Sequence, residues 1–315
     1  DPTDPQFLGE HLIGGRGTHR NFYAGGDYVY CCASPEGWEP TRADPEVDPV
    51  KNFYLSVLDI SDPENPVEVG EWMAPGQDPD SSVDPETSYF HGPAYVQGDR
   101  AYLSYGRVGM VVLDVENPAD PTLVTTLGFG PLGSYNGTHS VVPVPGTDLA
   151  AVNSEAVSEE SPLESEGDPM QYTFLVDISD EREPGFVGRT PVGPRVISSM
   201  PTPIPEPGLG YDSYHDKPGW FGPHNQHHPR GEPARLQSSE LLFVTYFNAG
   251  LRVFDISNPL VPREAGYYVP TAPDDLIGRR RSEGMQFEDV LVDSRGYVYC
   301  TDPQRGVYVL ETDLL

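Results

Sequence analysis

The segment Leu55-Ser-Val-Leu-Asp-Ile-Ser-Asp-Pro-Glu-Asn-Pro-Val-Glu-Val-Gly70 contains the unit from which this chain is built. An apolar strand ends in Asp, an Asp/Asn-Pro turn follows, and a second strand then carries Gly or a small polar residue. Similar segments recur over residues 111–121, 174–188, 253–266 and 307–313. Five copies of one strand–turn–strand unit predict a repeat fold, and no helical periodicity of any length interrupts them.

Further strands precede each copy of this unit. One has an alternating pattern, and before it come a short strand and, in most units, a tight turn. Four strands per unit and five units predict an all-β fold, a five-bladed β-propeller with four antiparallel strands in each blade. The outer strand of the third blade is placed at Phe186-Val-Gly188. We expect a single domain over residues 1–315, with blades at roughly 12–73, 89–127, 137–189, 223–269 and 286–315 plus 1–11.

The two ends of the chain are predicted to share the last blade. The fifth copy stops at Asp313, before its turn and outer strand. Asp1-Pro-Thr-Asp-Pro-Gln-Phe-Leu-Gly-Glu10 matches Asp62-Pro-Glu-Asn-Pro-Val-Glu-Val-Gly-Glu71 in spacing. We therefore expect the N-terminal residues to supply the missing outer strand, which closes the ring and covers an exposed strand edge.

The repeats resemble those of the LVIVD-repeat family of bacterial and archaeal propeller-like proteins. The residues that carry this resemblance are Leu55-Ser-Val-Leu-Asp-Ile-Ser61, Phe174-Leu-Val-Asp-Ile-Ser179 and Arg252-Val-Phe-Asp-Ile-Ser257. The resemblance implies a fold rather than an activity. The family is mostly known from surface or exported proteins, so the resemblance favours a location outside the cytoplasm over a cytoplasmic one.

Histidines recur at one point of the repeat. His19, His91, His139 and His224 stand near the start of the first strand of four units, with a slip of one residue in two of them, and the fifth unit has Glu288 there. The first strands of a propeller line its axis, so one column becomes one ring of side chains around the channel. Converging imidazoles are ligands for a metal ion, and the alternative is a ring bridged by channel waters. His227 or His228 could replace His224 as the ligand.

The ligand type decides which metal is expected. Imidazole suits Fe, Cu, Zn and Ni, whereas Ca²⁺ and Mg²⁺ require oxygen ligands. Four histidines would close a tetrahedral zinc site, but octahedral Fe(II) keeps two positions for O₂ and substrate. We therefore expect Fe(II) first, Cu second and Zn third. Glu288 either fills one position or orients a histidine, and Tyr135 and Tyr214 are further candidates for catalytic residues because they lie in or near the predicted channel mouth.

The channel histidines also resemble two known kinds of site. Carotenoid-cleavage oxygenases hold a non-haem Fe(II) with histidines on their propeller blades, and selenium-binding proteins are propellers with oxidase activity and copper attributed to their histidines. Only His19, His91, His139 and His224 carry either resemblance. The chain differs from both families in having five predicted blades and a shorter sequence.

The predicted function is that of a metalloenzyme. The leading hypothesis is an O₂-using non-haem iron oxidoreductase, of dioxygenase type, that acts on a small organic substrate. The alternatives are a metal-dependent lyase or hydrolase, and a non-catalytic exported propeller that serves as a binding module or scaffold. Long loops at residues 34–51, 74–89, 155–171, 190–222 and 271–286 are predicted to roof the channel mouth, with surface decoration as the alternative. The sequence predicts no particular oligomeric state.

Composition limits the partners. The chain has 49 acidic and 19 basic residues, which gives a net charge of −30. Such a surface repels nucleic acid and anionic membranes, and no apolar run is long enough for membrane insertion. High acidity is typical of a halophilic source or of a GC-rich genome. Cys31, Cys32 and Cys300 are too few for a disulfide framework and are interpreted as buried thiols.

Overall fold

The computed structural model describes residues 3–15, 17–34, 53–75, 77, 90–106, 108–129, 137–155, 172–181, 185–187, 190–207, 209–270 and 284–315. These residues form five blades of four, four, four, three and three antiparallel strands, so the predicted all-β five-bladed propeller is confirmed. Within these ranges the one helical element is a single 3₁₀ turn at Tyr214–Asp216. None of the described residues belongs to a helix with the length and apolar character needed to cross a membrane.

The strands follow one another outward within each blade. The first blade consists of β1 (Thr18–Phe22), β2 (Tyr28–Ala33), β3 (Tyr54–Asp59) and β4 (Val67–Trp72). The second consists of β5 (Tyr95–Gln97), β6 (Arg100–Tyr105), β7 (Gly109–Asp114) and β8 (Thr122–Leu127). The third contains β9 (Thr138–Pro143), β10 (Leu149–Ser154), β11 (Thr173–Asp177) and β14 (Arg195–Ser199), with a hairpin of β12 (Gly185–Val187) and β13 (Thr190–Val192) inserted. The fourth has β15 (Leu241–Thr245), β16 (Leu251–Asp255) and β17 (Arg263–Tyr268), and the fifth has β18 (Asp289–Val292), β19 (Tyr297–Asp302) and β20 (Gly306–Glu311).

In the first and third blades, the small residue of the outer strand contacts the turn of the next blade. A Cβ atom on Gly70 would lie 2.2 Å from the carbonyl oxygen of Pro118, in the Asn-Pro turn of the second blade. The Ser198 hydroxyl donates a hydrogen bond of 2.6 Å to the carbonyl of Pro259, in the corresponding turn of the fourth blade. A larger side chain would separate the blades at these points. The same one-residue bulge precedes the small residue in four outer strands, whose equivalent positions are Gly70, Thr125, Ser198 and Gly266.

The outer strand of the third blade lies later in the chain than the sequence predicts. Gly185–Val187 pairs with Thr190–Val192 in the separate hairpin, and β14 takes the outer position by pairing with β11. The assignment of Phe186-Val-Gly188 is therefore wrong, and the blade extends to Ser199 rather than to residue 189. In the sequence, Gly188 stands where the repeat has its small residue, but in the structure Ser198 of β14 holds the position equivalent to Gly70.

The inner position of the fourth blade is filled by an irregular segment, residues 224–227. Main-chain hydrogen bonds join His224 N to Thr245 O at 2.8 Å and His227 N to Phe243 O at 2.9 Å. Gln226 forms an isolated bridge with Val244 of β15. This segment therefore runs beside β15 as the first strands of the other blades run beside their neighbours.

The N-terminal segment packs against the first blade. A Cβ atom on Gly9 would lie 2.4 Å from the carbonyl oxygen of Glu64, which is the contact that Gly70 makes with the next blade. Nδ1 of His11 lies 3.3 Å from the carbonyl oxygen of Pro66 in the same turn. By analogy with Gly70, this is the position of an outer strand of the fifth blade. The predicted strand itself is not formed, because residues 3–15 contain no strand and no hydrogen-bonded ladder joins them to β20.

Apolar side chains of the second and third strands form the core between neighbouring blades. In β7, every residue from Gly109 to Leu113 is buried. Cys31, Cys32 and Cys300 are buried free thiols, as interpreted from the sequence. Burial raises the pKa of Cys31 to about 11 and that of Cys300 to about 12, so these side chains remain protonated and take part in packing.

Candidate functional site

The histidines of the repeat column lie side by side around the channel. Their ring centroids are 5.1 Å apart for His19 and His91, 4.4 Å for His91 and His139, and 4.3 Å for His139 and His224. Nδ1 of His224 lies 2.6 Å from the carbonyl oxygen of Glu288 and 3.6 Å from its carboxylate. The column found in the repeat is therefore one continuous row of side chains in the structure.

Two β-bulges aim side chains into this row. In β9 the extra residue lies between Thr138 and Ser140, and it is His139. In β1 the bulge lies between Thr18 and Asn21 and contains His19 and Arg20. Bulges re-aim side chains that regular alternation would direct elsewhere. The bulge in β9 is a physical counterpart of the one-residue slip that aligns His139 with the column.

Glu155 joins this cluster, and the sequence analysis did not identify it as a site residue. Its Oε2 atom lies 3.5 Å from Nε2 of His91 and 3.4 Å from Nε2 of His139, and its Oε1 atom lies 3.4 Å from Nε2 of His224. Glu155 directly follows β10 and begins an acidic stretch. The sequence does not distinguish it from the other acidic residues of that stretch. Its position at a strand end beside the histidine-bearing end of β9 was the signal that could have identified it.

Burial keeps three of the imidazoles neutral. It lowers the pKa of His91 to about 4 and holds the pKa of His139 well below its usual range, and it also lowers the pKa of the more exposed His19. Burial alone would raise the pKa of Glu155, but the contact with the His224 ring and the positive charge of Arg20 bring it below its usual range. The cluster therefore combines the neutral imidazoles of His91 and His139 with an ionised carboxylate, which is the protonation state that a metal ion requires of its ligands.

The Nδ1 atoms hold the rings in one orientation. Nδ1 of His139 lies 3.1 Å from the carbonyl oxygen of His224, and Nδ1 of His224 lies 2.6 Å from that of Glu288. A neutral imidazole that donates from Nδ1 to a carbonyl keeps a lone pair on Nε2. The neutral His139 ring therefore presents its Nε2 lone pair toward Glu155, and the His224 ring is held with its Nε2 atom toward the same carboxylate. Carbonyl partners orient metal-binding histidines in this way.

Arg20 is a partly buried cation beside this cluster, and the sequence did not predict it as a site residue. Its Nη1 atom lies 3.1 Å from Nε2 and 3.2 Å from Nδ1 of His139. The same atom donates to the carbonyl oxygens of Gly92 at 3.0 Å and His139 at 3.3 Å, and Nη2 donates to Oδ1 of Asn225. Because Nη1 is almost equally far from both ring nitrogens, it is not directed along the Nε2 lone pair.

The donor set fits a metal ion. Among the described residues, His91, His139 and Glu155 each offer one ligand atom within 4.8 Å of those of the others. Oε2 of Glu155 is buried and has no hydrogen bond within the described part of the chain. A buried carboxylate oxygen without a hydrogen bond is costly unless a cation pairs with it. Nε2 of His224 lies 3.4 Å from Oε1, the other carboxylate oxygen of Glu155, and is close enough to serve as a fourth ligand. His19 lies at the exposed end of the row.

The remaining predicted site residues lie elsewhere. Tyr135 falls outside the described residues. Tyr214 is 1% exposed and packs among aromatic side chains with the Arg252 guanidinium 5.0 Å from its ring centroid, and no contact joins it to the imidazoles among the described residues. His227 is fixed between Leu236 O and Val292 N, and the His228 ring lies 5.8 Å from the Tyr95 ring at a tilted angle. His224, rather than His227 or His228, therefore belongs to the cluster.

Part of the region predicted to roof the channel is described. The ring of Trp220 meets that of Phe247 edge-on at 5.2 Å, and the Phe247 ring lies 4.5 Å from that of His224. These two aromatic side chains form an apolar wall beside the cluster. Most of the other long loops lie outside the described residues.

Comparison with known families identifies the repeat. The LVIVD repeat matches residues 50–74, 95–127 and 238–269, which contain β3, β4 and all the described strands of the second and fourth blades. The chain contains LVIVD repeats. This agrees with the resemblance seen in the sequence, and none of the similarities found supports the further resemblance of the histidines to those of carotenoid-cleavage oxygenases or selenium-binding proteins. No curated protein matches the chain closely enough to count as a relative.

Solved structures share the fold of these LVIVD repeats at low sequence identity. The β-propeller domain of Cps50 (Swd1) from Myceliophteria thermophila is 6% identical with a TM-score of 0.50, over 91% of this chain and 67% of that chain. A glucose dehydrogenase is 11% identical with a TM-score of 0.50, over 99% of this chain and 88% of that chain. The periplasmic gluconolactonase PpgL of Pseudomonas aeruginosa is 13% identical with a TM-score of 0.46, over 97% of this chain and 71% of that chain. Similarity at this level shows the propeller architecture alone.

Proposed function

We propose that the chain is a metalloenzyme whose single ion is held in the channel by His91, His139 and Glu155, with His224 as a fourth ligand. The observation that carries the proposal is the burial of one ionised carboxylate among three imidazole Nε2 atoms. This proposed ligand set differs from the four histidines expected from the sequence. His19 is left as an exposed neighbour of His91, and Glu288 as a support for His224.

The distances support a shared ion. Ligand atoms about 2.1 Å from one ion lie about 3.0 to 3.4 Å apart in octahedral and tetrahedral sites. The three Nε2–carboxylate distances of 3.4 to 3.5 Å lie at or just above the upper end of this range. Small side-chain rotations therefore suffice to bring the ligand atoms onto an ion. The buried Oε2 atom of Glu155 would gain a cationic partner in the process.

The ligand types support Fe(II) as the ion. Two histidines and one carboxylate with open positions are the set used by non-haem Fe(II) oxygenases. Such an ion would supply O₂ binding and electron transfer, so the proposed reaction is an O₂-dependent oxidation of a small organic substrate. Burial keeps the imidazoles of His91 and His139 neutral, and carbonyl oxygens hold the rings of His139 and His224 with Nε2 toward Glu155. The Phe247 ring covers one side of the cluster and excludes water there. The location outside the cytoplasm implied by the repeats remains part of this proposal.

Elemental analysis of the purified full-length chain tests the proposal. We expect about one iron per chain in the wild type, and a loss of about tenfold or more in iron affinity for Glu155→Gln and His139→Ala. His227→Gln is the matched control, because this nearby buried histidine does not face the cluster. Full iron content in Glu155→Gln, or equal loss in the control, would contradict the proposed ligand set.

The identity of the ion separates the reaction classes. Stoichiometric iron together with substrate-dependent O₂ consumption would support the oxidoreductase. Stoichiometric zinc would instead indicate hydrolytic chemistry, because two histidines and a glutamate also form catalytic zinc sites. A wild-type chain that binds neither ion would leave the non-catalytic propeller as the remaining interpretation.

A further inference from the structure

A second cavity lies one layer further along the channel. It has a volume of about 260 Å³, and its polar lining includes Arg20, Gln226, His228, Arg230, Arg235 and Asp289. Residues two apart on a strand point to the same side, so a channel-facing residue is followed by another two positions later. Four lining residues stand two positions after members of the histidine column, and these are Asn21, Pro93, Gln226 and Val290.

The charge of this cavity contrasts with that of the chain. Three of the 19 basic residues line it, although the net charge is −30. The carboxylates that face Arg230 and Arg235 are those of Asp289, in the lining, and Glu232, which accepts a hydrogen bond of 2.8 Å from Arg235 Nε. Arg20 faces Asp289 and also Glu155 and Glu288, which lie outside the lining. The lining itself therefore contains three guanidinium groups and one carboxylate. Such a concentration of positive charge inside an acidic protein attracts small anions.

Contacts within the protein hold Arg230 and Arg235 in place but do not use all of their N–H donors. Arg235 donates through Nη1 to the carbonyl oxygen of His228 at 3.1 Å. The Arg230 guanidinium lies 5.0 Å from the centroid of the Phe22 ring, and its Nη1 donates to the carbonyl oxygen of Tyr23 at 3.3 Å. Nε of Arg230 is buried and has no hydrogen-bond partner among the described residues. A buried guanidinium donor without a partner points to a bound group that would accept from it.

The backbone at Arg230 gives an independent sign of function. Its φ angle is +53°, in the left-handed region that favours glycine, and Gly231 follows it. Its main-chain N–H donates to the Tyr95 hydroxyl at 2.7 Å, which holds this conformation. A non-glycine residue at such an angle costs free energy, and strained residues of this kind concentrate at binding sites. An arginine is kept where a glycine would fit the backbone better.

We propose that this cavity binds a small oxyanion, a carboxylate or a phosphate, through Arg20, Arg230 and Arg235. Planar guanidinium groups match the oxygen pairs of both anions and bind them more strongly than neutral donors do. The cavity is of a size for a small metabolite rather than a polymer, and the exposed residues Asn21 and Asp289 in its lining give it access to solvent. None of the proposed metal ligands lines this cavity. Arg20 lies between the two sites because it also contacts His139, so the test uses Arg230 and Arg235, which have no such contact within the described residues.

Calorimetric titration of the metal-free full-length chain tests this site. The probes are inorganic phosphate and malonate, each at the same ionic strength set with NaCl. We expect the wild type to bind at least one of them, and the tighter one identifies the ligand class. Arg235→Gln should weaken this binding about tenfold or more, because a charge-assisted donor is lost. Arg263→Gln, on the exposed strand β17, is the control and should bind as the wild type does.

Arg230→Gly separates binding from structural support. Glycine removes the guanidinium and relieves the positive φ angle. The thermal unfolding temperature without anion should therefore be unchanged or higher, while anion binding should be lost. Wild type that binds neither anion beyond chloride would overturn the proposal. So would Arg230→Gly binding as tightly as the wild type, or Arg263→Gln losing as much affinity as Arg235→Gln. If Arg230→Gly failed to fold, the Arg235→Gln comparison would decide.

Discussion

At the scale of single residues, burial keeps histidines of this fold neutral, and hydrogen bonds to their ring nitrogens fix which nitrogen carries the proton. His227 shows the rule outside the proposed metal site. Its Nε2 donates to the carbonyl oxygen of Leu236 at 3.0 Å, and its Nδ1 accepts from the main-chain N–H of Val292 at 3.1 Å. A protonated ring would place an N–H against the N–H of Val292. The pKa of His227 is lowered to about 4, mainly by burial, and the contact with the N–H of Val292 acts in the same direction.

His227 should make stability depend on pH in acid. An unfolded histidine has a pKa near 6.5, so between about 6.5 and 4 the unfolded chain binds a proton that the folded chain does not. The free energy of unfolding should therefore fall as the pH falls, by about 2 kcal/mol for this residue between about pH 7 and pH 5. Urea denaturation at both pH values should show a smaller loss for His227→Gln than for the wild type. An equal loss in both chains would contradict the assignment.

Sequence reasoning at this scale succeeded where the repeat provided alignment. Four histidines and Glu288 could be placed on one row because their positions recur from blade to blade. Glu155 occurs once, in an acidic stretch, and no repeated position marks it. Arg20 could not be placed in the channel either, because simple alternation turns it away from the axis and only the bulge in β1 makes room for it.

At the scale of elements, the outer strand and the next blade's turn form the joint between blades. The repeat motif predicts both partners, since the Asp/Asn-Pro turn and the small residue occur in each copy. It does not say which glycine or serine fills the position. In the third blade the sequence at the inserted hairpin resembles the motif. Only the strand pairing shows that Ser198 is the residue that contacts Pro259.

Gly70→Ala tests this joint. The added methyl group would meet the Pro118 carbonyl at 2.2 Å, which neither backbone can avoid without separating the blades. We expect a loss of about 1 to 3 kcal/mol in the free energy of unfolding, measured with urea. Gly128→Ala is the matched control, since its nearest atom would be the Val108 carbonyl oxygen at an ordinary 3.5 Å. Equal effects of the two substitutions would rule out the proposed packing role.

At the scale of the whole molecule, the N-terminal segment packs on the turn of the first blade, and no strand ladder joins its described residues to the fifth blade. In the sequence, residues 1–10 align with the turn and outer strand of the first blade, residues 62–71, because the two segments have the same spacing. The structure gives Gly9 the contact with Glu64 that this alignment implies, without hydrogen-bonded pairing to β20. Equivalent spacing thus predicted the place of the segment but not its pairing.

Gly9→Ala tests the closure. Its Cβ atom would lie 2.4 Å from the Glu64 carbonyl oxygen, so a docked segment should lose stability by an amount similar to that of Gly70→Ala, about 1 kcal/mol or more. Thermal unfolding of the two variants and of Gly128→Ala gives the comparison. A Gly9→Ala chain as stable as the wild type would mean that the N-terminal segment does not hold the ring closed in solution.

The central claim is that the channel cluster holds a metal ion, and anomalous X-ray diffraction from crystals of the iron-loaded protein tests it most directly. At the iron absorption edge we expect one anomalous peak about 2.0 to 2.3 Å from Nε2 of His91, Nε2 of His139 and a carboxylate oxygen of Glu155. Crystals of Glu155→Gln grown and loaded in the same way should show no peak there. A wild-type map without a peak between these three side chains, or with its only strong peak elsewhere, would contradict the account.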